Sequence, residues 1–135
     1  MGKPLLKELP FKIGEQYELN EFNLKALEST FSNGLEYENY EYIKGDFKVL
    51  FEIELSSNII LQYNGDVLIG IVFEFNLENL PILLNNLNLY VSLEPTEDIG
   101  NHVLGKTFSL FQNQEICIRL DVQKVVYLRV LKILG

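Results

Sequence analysis

The sequence predicts an α+β fold: a largely antiparallel β-sheet of about five to seven strands, packed by two or three short helices. Three observations carry that expectation. Apolar and polar residues alternate with a period of two over 47–55, 67–75 and 115–122. Turn residues separate such stretches: Lys44-Gly45-Asp46, Ser56-Ser57-Asn58, Asn64-Gly65 and Gln112-Asn113-Gln114. Helical periodicity is confined to short segments. The expected layout is a meander around 35–75 and a C-terminal hairpin over 115–133, all in one globular domain spanning 1–135.

Taken in order, Phe11 to Leu19 reads as a strand or an extended arm. Asn20 or Asn23 can cap a helix in which Leu24, Leu27 and Phe31 line one side, with Asn33-Gly34 as its stop. The tyrosine-rich segment 35–43, LEYENYEYI, is extended, and Lys44-Gly45-Asp46 folds it back against 47–55. Within 47–55, Phe47, Val49, Phe51, Ile53 and Leu55 alternate with Lys48, Leu50, Glu52 and Glu54. A short strand, Ile59 to Tyr63, then meets Asn64-Gly65, a preferred dipeptide for a two-residue hairpin loop. Val67, Ile69, Ile71, Phe73 and Phe75 follow on one face, and a face so apolar requires a cover. Leu80, Leu83, Leu84 and Leu87 supply it as the stripe of a helix capped by Asn79, with Pro81 in its first turn. Pro95 opens a weaker helical candidate, with Ile99 and Val103 on one side and Gly105 at its end. Phe108 to Phe111 is a short strand. The last segment, 125–133, is apolar on both faces apart from Arg129 and Lys132. It fits either a central strand or an edge that pairs with a second copy to form a homodimer.

Composition narrows the function classes. Hydrophobic residues make up 47% and charged residues 22%, a globular balance. The formal net charge of −8 and pI near 4.6 argue against nucleic acid as a partner, since phosphate neutralisation needs a basic surface. One cysteine, Cys117, rules out an internal disulfide, and one histidine, His102, rules out a multi-histidine metal site. The expectation is no metal and no cofactor. The start of the chain lacks the apolar run of a secretory leader, and the runs at 67–75 and 125–134 are too short to span a bilayer as helices. A cytoplasmic location and no membrane contact are expected. The abundance of Asn, Ile, Lys, Tyr and Phe suggests an AT-rich, bacterial source.

One string fits a catalytic pattern. Gly100 to Thr107, GNHVLGKT, matches G-x-x-x-x-G-K-[ST], so Gly100, Gly105, Lys106 and Thr107 define a phosphate-loop reading, with Asp121 as a possible magnesium aspartate. That chemistry needs a strand leading in and a helix leading out, whose N-terminus faces the anion. The acidic run Glu94 to Asp98 precedes the string, and a strand pattern follows it. The context therefore opposes the motif, and the preferred expectation is that the chain is not an enzyme.

The stronger candidate is a binding face. Glu36, Glu38, Tyr40 and Tyr42 fall on one side of their strand, and Glu52 and Glu54 on the polar side of the next. If the register brings them together, tyrosine rings offer contact area and carboxylates steer a basic protein. In general type the chain is similar to small acidic bacterial immunity or inhibitor proteins, which neutralise a toxin by covering it. That likeness implies a protein partner and stoichiometric binding, and it transfers no residue. The alternatives are a small hydrophobic-ligand carrier, with its pocket between the sheet and the 79–87 helix, and the nucleotide binder described above.

Overall fold

The computed structural model describes residues 4–32, 34–90 and 105–133. A short helix, α1 (Leu5–Glu8), opens the chain. Strands β1 (Leu24–Ala26), β2 (Thr30–Ser32) and β3 (Leu35–Tyr42) follow. A small hairpin comes next, β4 (Val49–Leu50) and β5 (Ile53–Glu54). Then come β6 (Ile60–Asn64), β7 (Val67–Asn76) and helix α2 (Leu80–Leu87). The chain ends in β8 (Thr107–Gln112), β9 (Ile116–Val122) and β10 (Val125–Lys132). The result is mostly antiparallel sheet with few short helices, loosely α+β.

The main sheet has the order β1-β3-β6-β7-β10-β9-β8, with β2 also paired to β3. Every pairing is antiparallel. Two meanders, β3-β6-β7 and β8-β9-β10, join where β7 lies beside β10. At that seam Ile71, Phe73 and Phe75 face Val130, Leu128 and Val126. All six are buried and belong to the core cluster that also holds Leu80, Leu83, Leu84 and Leu87 of α2. The predicted leucine stripe is thus the cover of the apolar sheet face, with Pro81 in the first turn as the missing N–H there requires. Leu5, Leu9 and Phe11 bring the N-terminal segment onto the same core. The arm that follows is not the strand or extended run expected over Phe11 to Leu19: it turns at Ile13-Gly14 and winds into two short 3-10 helices, Tyr17–Leu19 and Glu21–Asn23, while Gly14 and Tyr17 donate their N–H groups to Leu68 and Asp66.

Several expectations are corrected. No helix forms over 24–31. Those residues are β1 and β2, two pieces of one edge strand whose register on β3 slips by one residue between Ala26↔Tyr40 and Thr30↔Tyr37. The slip is a bulge, and a buried side chain holds it: Asn39 Nδ2 donates to Glu28 O and Thr30 Oγ1, both at 3.0 Å. Gly34, at φ +78, belongs to the turn between β2 and β3 and stops no helix. The segment 47–55 is not one strand. Phe51 and Glu52 sit at φ +53 and +66, the loop of the tight hairpin β4–β5. Segment 35–43 therefore pairs not with 47–55 but with β6. The β6–β7 loop is Gly65-Asp66, φ +57 and +65, one residue later than the Asn64-Gly65 dipeptide suggests. Finally, 125–133 is a central strand, hydrogen-bonded on both sides by β7 and β9, so it has no free edge for a homodimer. The candidate helix from Pro95 to Leu104 and His102 lie outside the described residues.

Candidate functional site

The phosphate-loop reading can be tested at its downstream half, because Gly100 to Leu104 lie outside the described residues. Gly105 has φ +84 and its N–H donates to Val122 O at 2.6 Å. Lys106 O accepts from Val122 N. Thr107 starts β8, and its hydroxyl donates to Asp121 Oδ1 at 2.8 Å. A strand stands where a helix N-terminus would have to face the phosphates, and Asp121 is bound to Thr107 and Arg129. The reading through Gly100, Gly105, Lys106 and Thr107 is therefore not supported by the backbone it needs. Among the described residues, no group of three or more His, Cys, Asp or Glu side chains is placed to hold a metal ion. No helix among them is long and apolar enough to cross a membrane.

The acidic and aromatic residues are redistributed. Alternation does put Glu36, Glu38, Tyr40 and Tyr42 on one face of β3, but it is the face that carries the core. At its Tyr42 end the cover is complete. Tyr42 is 4% exposed, meets Phe11 and Phe47 at ring-centre distances of 4.9 and 5.9 Å, and donates to Asp46 Oδ1 at 2.7 Å. Burial, then Asp46, pushes its hydroxyl up to about 12. Tyr42 is a core residue and not part of a contact surface.

Towards Glu36 the cover ends, and a different set of residues assembles. The arm bonds to the β6–β7 loop, which brings Tyr17 against Tyr40 and Tyr63 at 5.3 and 5.4 Å. Tyr63 is fully buried, and burial raises its pKa to about 12 with Asn20 opposing the shift. Tyr40 is half-buried. Burial raises its pKa first, followed by Tyr17, Glu38 and Asp66, so these groups share one neighbourhood. Phe31 stands directly opposite Glu36 on β2, hence on the same face, and is 73% exposed. Glu18 and Asp66 are exposed and Glu15 half-buried nearby in the fold. The ion pairs among the described residues are Lys44–Asp46 and Arg129–Asp121, so none of these carboxylates is neutralised by a cation.

Glu52 and Glu54 do not join this face. Glu52 is exposed at the β4–β5 loop, close enough to Tyr90 to help raise its pKa after burial and Glu8. Glu54 lines a shallow cleft of about 320 Å³ with Glu41, Phe47 and Lys48. The structure thus keeps Glu36, Glu38 and Tyr40 together, removes Tyr42, Glu52 and Glu54, and adds Tyr17, Phe31 and Asp66. Only the hairpin at 64–67 and the strand character of 24–32 would have revealed the additions.

A separate apolar crevice of about 260 Å³ lies between the N-terminal segment and the last two strands, lined by Leu6, Leu9, Phe11, Ile13, Ile116 and Val130, with Lys7 and Lys12 beside them. No known family matches the chain, and neither a characterised protein nor a solved structure shows significant similarity to it.

Proposed function

We propose that this chain acts by stoichiometric binding of a protein with a basic surface, through the face made by Tyr17, Phe31, Glu36, Glu38 and Tyr40. The supporting observation is the conjunction at that face of exposed or half-exposed aromatic rings with carboxylates that no cation among the described residues pairs. Aromatic groups of this kind supply contact area with few rotors to freeze, and unpaired acidic groups accelerate encounter with a basic partner. An immunity or inhibitor role, in which a toxin or effector is covered, is the form of this activity that best suits an acidic protein of this size.

The test is affinity capture from the native host with the whole chain, in parallel with a Phe31→Ser/Glu36→Lys/Glu38→Lys variant. A basic protein held at a one-to-one ratio by the wild type, and lost by the variant, supports the proposal. Equal capture by both chains, or no protein above background, refutes it.

A second reading, carriage of a small hydrophobic ligand, rests on the crevice beside Leu9 and Ile116 rather than on the space beneath α2, where the leucines are packed into the core. Native mass spectrometry of the chain as purified from its host tests it: a co-purifying small molecule supports carriage, and a bare chain opposes it.

A further inference from the structure

On the sheet face opposite α2, the register lays out one row of side chains across six strands: Glu41, Ile60, Val72, Arg129, Arg119 and Ser109. Arg129 and Arg119 are direct cross-strand neighbours, and like charges so placed destabilise a sheet unless something neutralises them. Arg129 is provided for. Its Nε donates to Asp121 Oδ2 at 2.6 Å, and its guanidinium lies 4.9 Å from the centre of the Tyr127 ring. Arg119 is not. Its Nε is buried without a hydrogen-bond partner, and no carboxylate among the described residues pairs with it.

The carboxylates on the rows nearby are engaged elsewhere. Glu41 accepts from Asn58, Glu74 accepts from Ser56, and Asp121 is taken by Arg129 and Thr107. A buried donor without a partner is destabilising, more so when it is charged. Among the described residues no carboxylate answers this arginine. Ser109, opposite Arg119 on the edge strand β8, is exposed, so the row can be approached from that side.

We propose that Arg119, with Ser109 and Arg129 beside it, binds an oxyanion carried by a small molecule, either a phosphate or a carboxylate group. The terminal N–H groups of the guanidinium fork donate to two oxygens of such a group, beyond the Nε, which is itself buried. The Ser109 hydroxyl adds a third donor from the neighbouring strand. Asp121 keeps Arg129 turned aside, so that Arg119 is the principal contact.

The experiment is an NMR titration of the whole chain, following the arginine Nε–H signals with inorganic phosphate and with acetate, against chloride at matched ionic strength. The expected result is a saturable shift of the Arg119 Nε–H in at least one of the two oxyanion arms, and the stronger arm identifies the group. At a ligand concentration a hundred times Kd, the unfolding constant should fall about a hundredfold. Arg119→Gln should abolish the saturable shifts at Ser109 and Arg129. If that variant does not fold, Ser109→Ala, at an exposed position, should weaken binding several-fold while the chain remains folded. Shifts in both arms that merely follow the chloride control, or saturable shifts confined to another part of the chain, overturn the proposal.

Discussion

A methyl group added at Gly70 should loosen an edge strand three strands away. A Cβ at that position would collide with Gln62 Oε1 and lie 3.2 Å from Gln62 Cβ and Cδ. The first contact can be relieved by swinging the amide, but the other two require the stem of the side chain to shift. Either movement breaks the 3.0 Å bond from Gln62 Nε2 to Asn39 Oδ1. Asn39 is the buried polar residue whose Nδ2 holds the bulge between β1 and β2. Losing one hydrogen bond is worth about 1 kcal/mol, and leaving the Asn39 carbonyl unsatisfied adds about 1–3 kcal/mol. Alanine is favoured over glycine in a strand by about 0.5–1 kcal/mol, which offsets part of this. Gly70→Ala should therefore destabilise by about 1–3 kcal/mol, lowering the urea midpoint by on the order of 1 M with an unchanged slope. Hydrogen exchange should show lost protection at Leu27, whose N–H donates to Asn39 O. Gly70→Ala combined with Gln62→Ala should be less destabilised than the sum of the single changes, since the clash is gone. A Gly70→Ala midpoint equal to wild type, or strict additivity in the double variant, would refute the reasoning.

Three further outcomes are expected. Glu52→Gly should stabilise by about 1 kcal/mol in urea unfolding, because Glu52 is exposed at φ +66 and glycine takes that conformation freely; Phe51→Gly, at φ +53, should instead destabilise by about 3–5 kcal/mol, because Phe51 is 3% exposed and packs on Tyr90. Leu83→Ala should lower stability by about 2–5 kcal/mol, since Leu83 is fully buried on the inner side of α2, and a smaller change in calorimetry would mean the site collapses around the vacancy. Tyr42 and Tyr63 both have folded-state pKa values raised to about 12 from 10.0, so their neutral forms favour the folded state below pH 10 and that contribution is lost as pH rises through 12. Stability measured from pH 9 to 12 should therefore fall less steeply in Tyr42→Phe than in wild type, and an identical slope would count against the shift.

The strands that alternate cleanly and end in recognised turns were legible in the sequence: β7, β9 and β10, along with the leucine stripe of α2. The 47–55 stretch misleads because its alternation continues straight through a loop occupied by Phe51 and Glu52, neither a turn former. Packing decides there, since Phe51 is buried and its carbonyl accepts from Asn86 Nδ2 at 2.7 Å. The 24–31 stretch misleads in the opposite way: Leu24, Leu27 and Phe31 have helical spacing, yet Phe31 is exposed and the segment pairs with β3. On the candidate face, Glu36, Glu38 and Tyr40 follow from alternation within one strand. Tyr17, Phe31 and Asp66 depend on which strands pair and in what register, which no local pattern specifies. The isolation of Arg119 has the same origin, because it exists only once β9 lies against β10.

The seam between β7 and β10 has a consequence for how the chain reaches this structure. Each meander closes over short stretches of chain, the longest being the step from β3 to β6 around the inserted β4–β5 hairpin, so its pairings can form early and locally. The contacts that join them, such as Phe75 with Val126, link residues far apart in the chain. Their closure entropy grows only slowly with the intervening length, but the search for them is slow. Until they meet, β7 and β10 each present a bare hydrogen-bonding edge and a row of apolar side chains, Ile and Phe on β7 and Val and Leu on β10, which is the arrangement that recruits another chain. The vulnerable moment for this protein is therefore during its own assembly, when two nearly finished halves have yet to find each other and crowding by identical copies is most harmful.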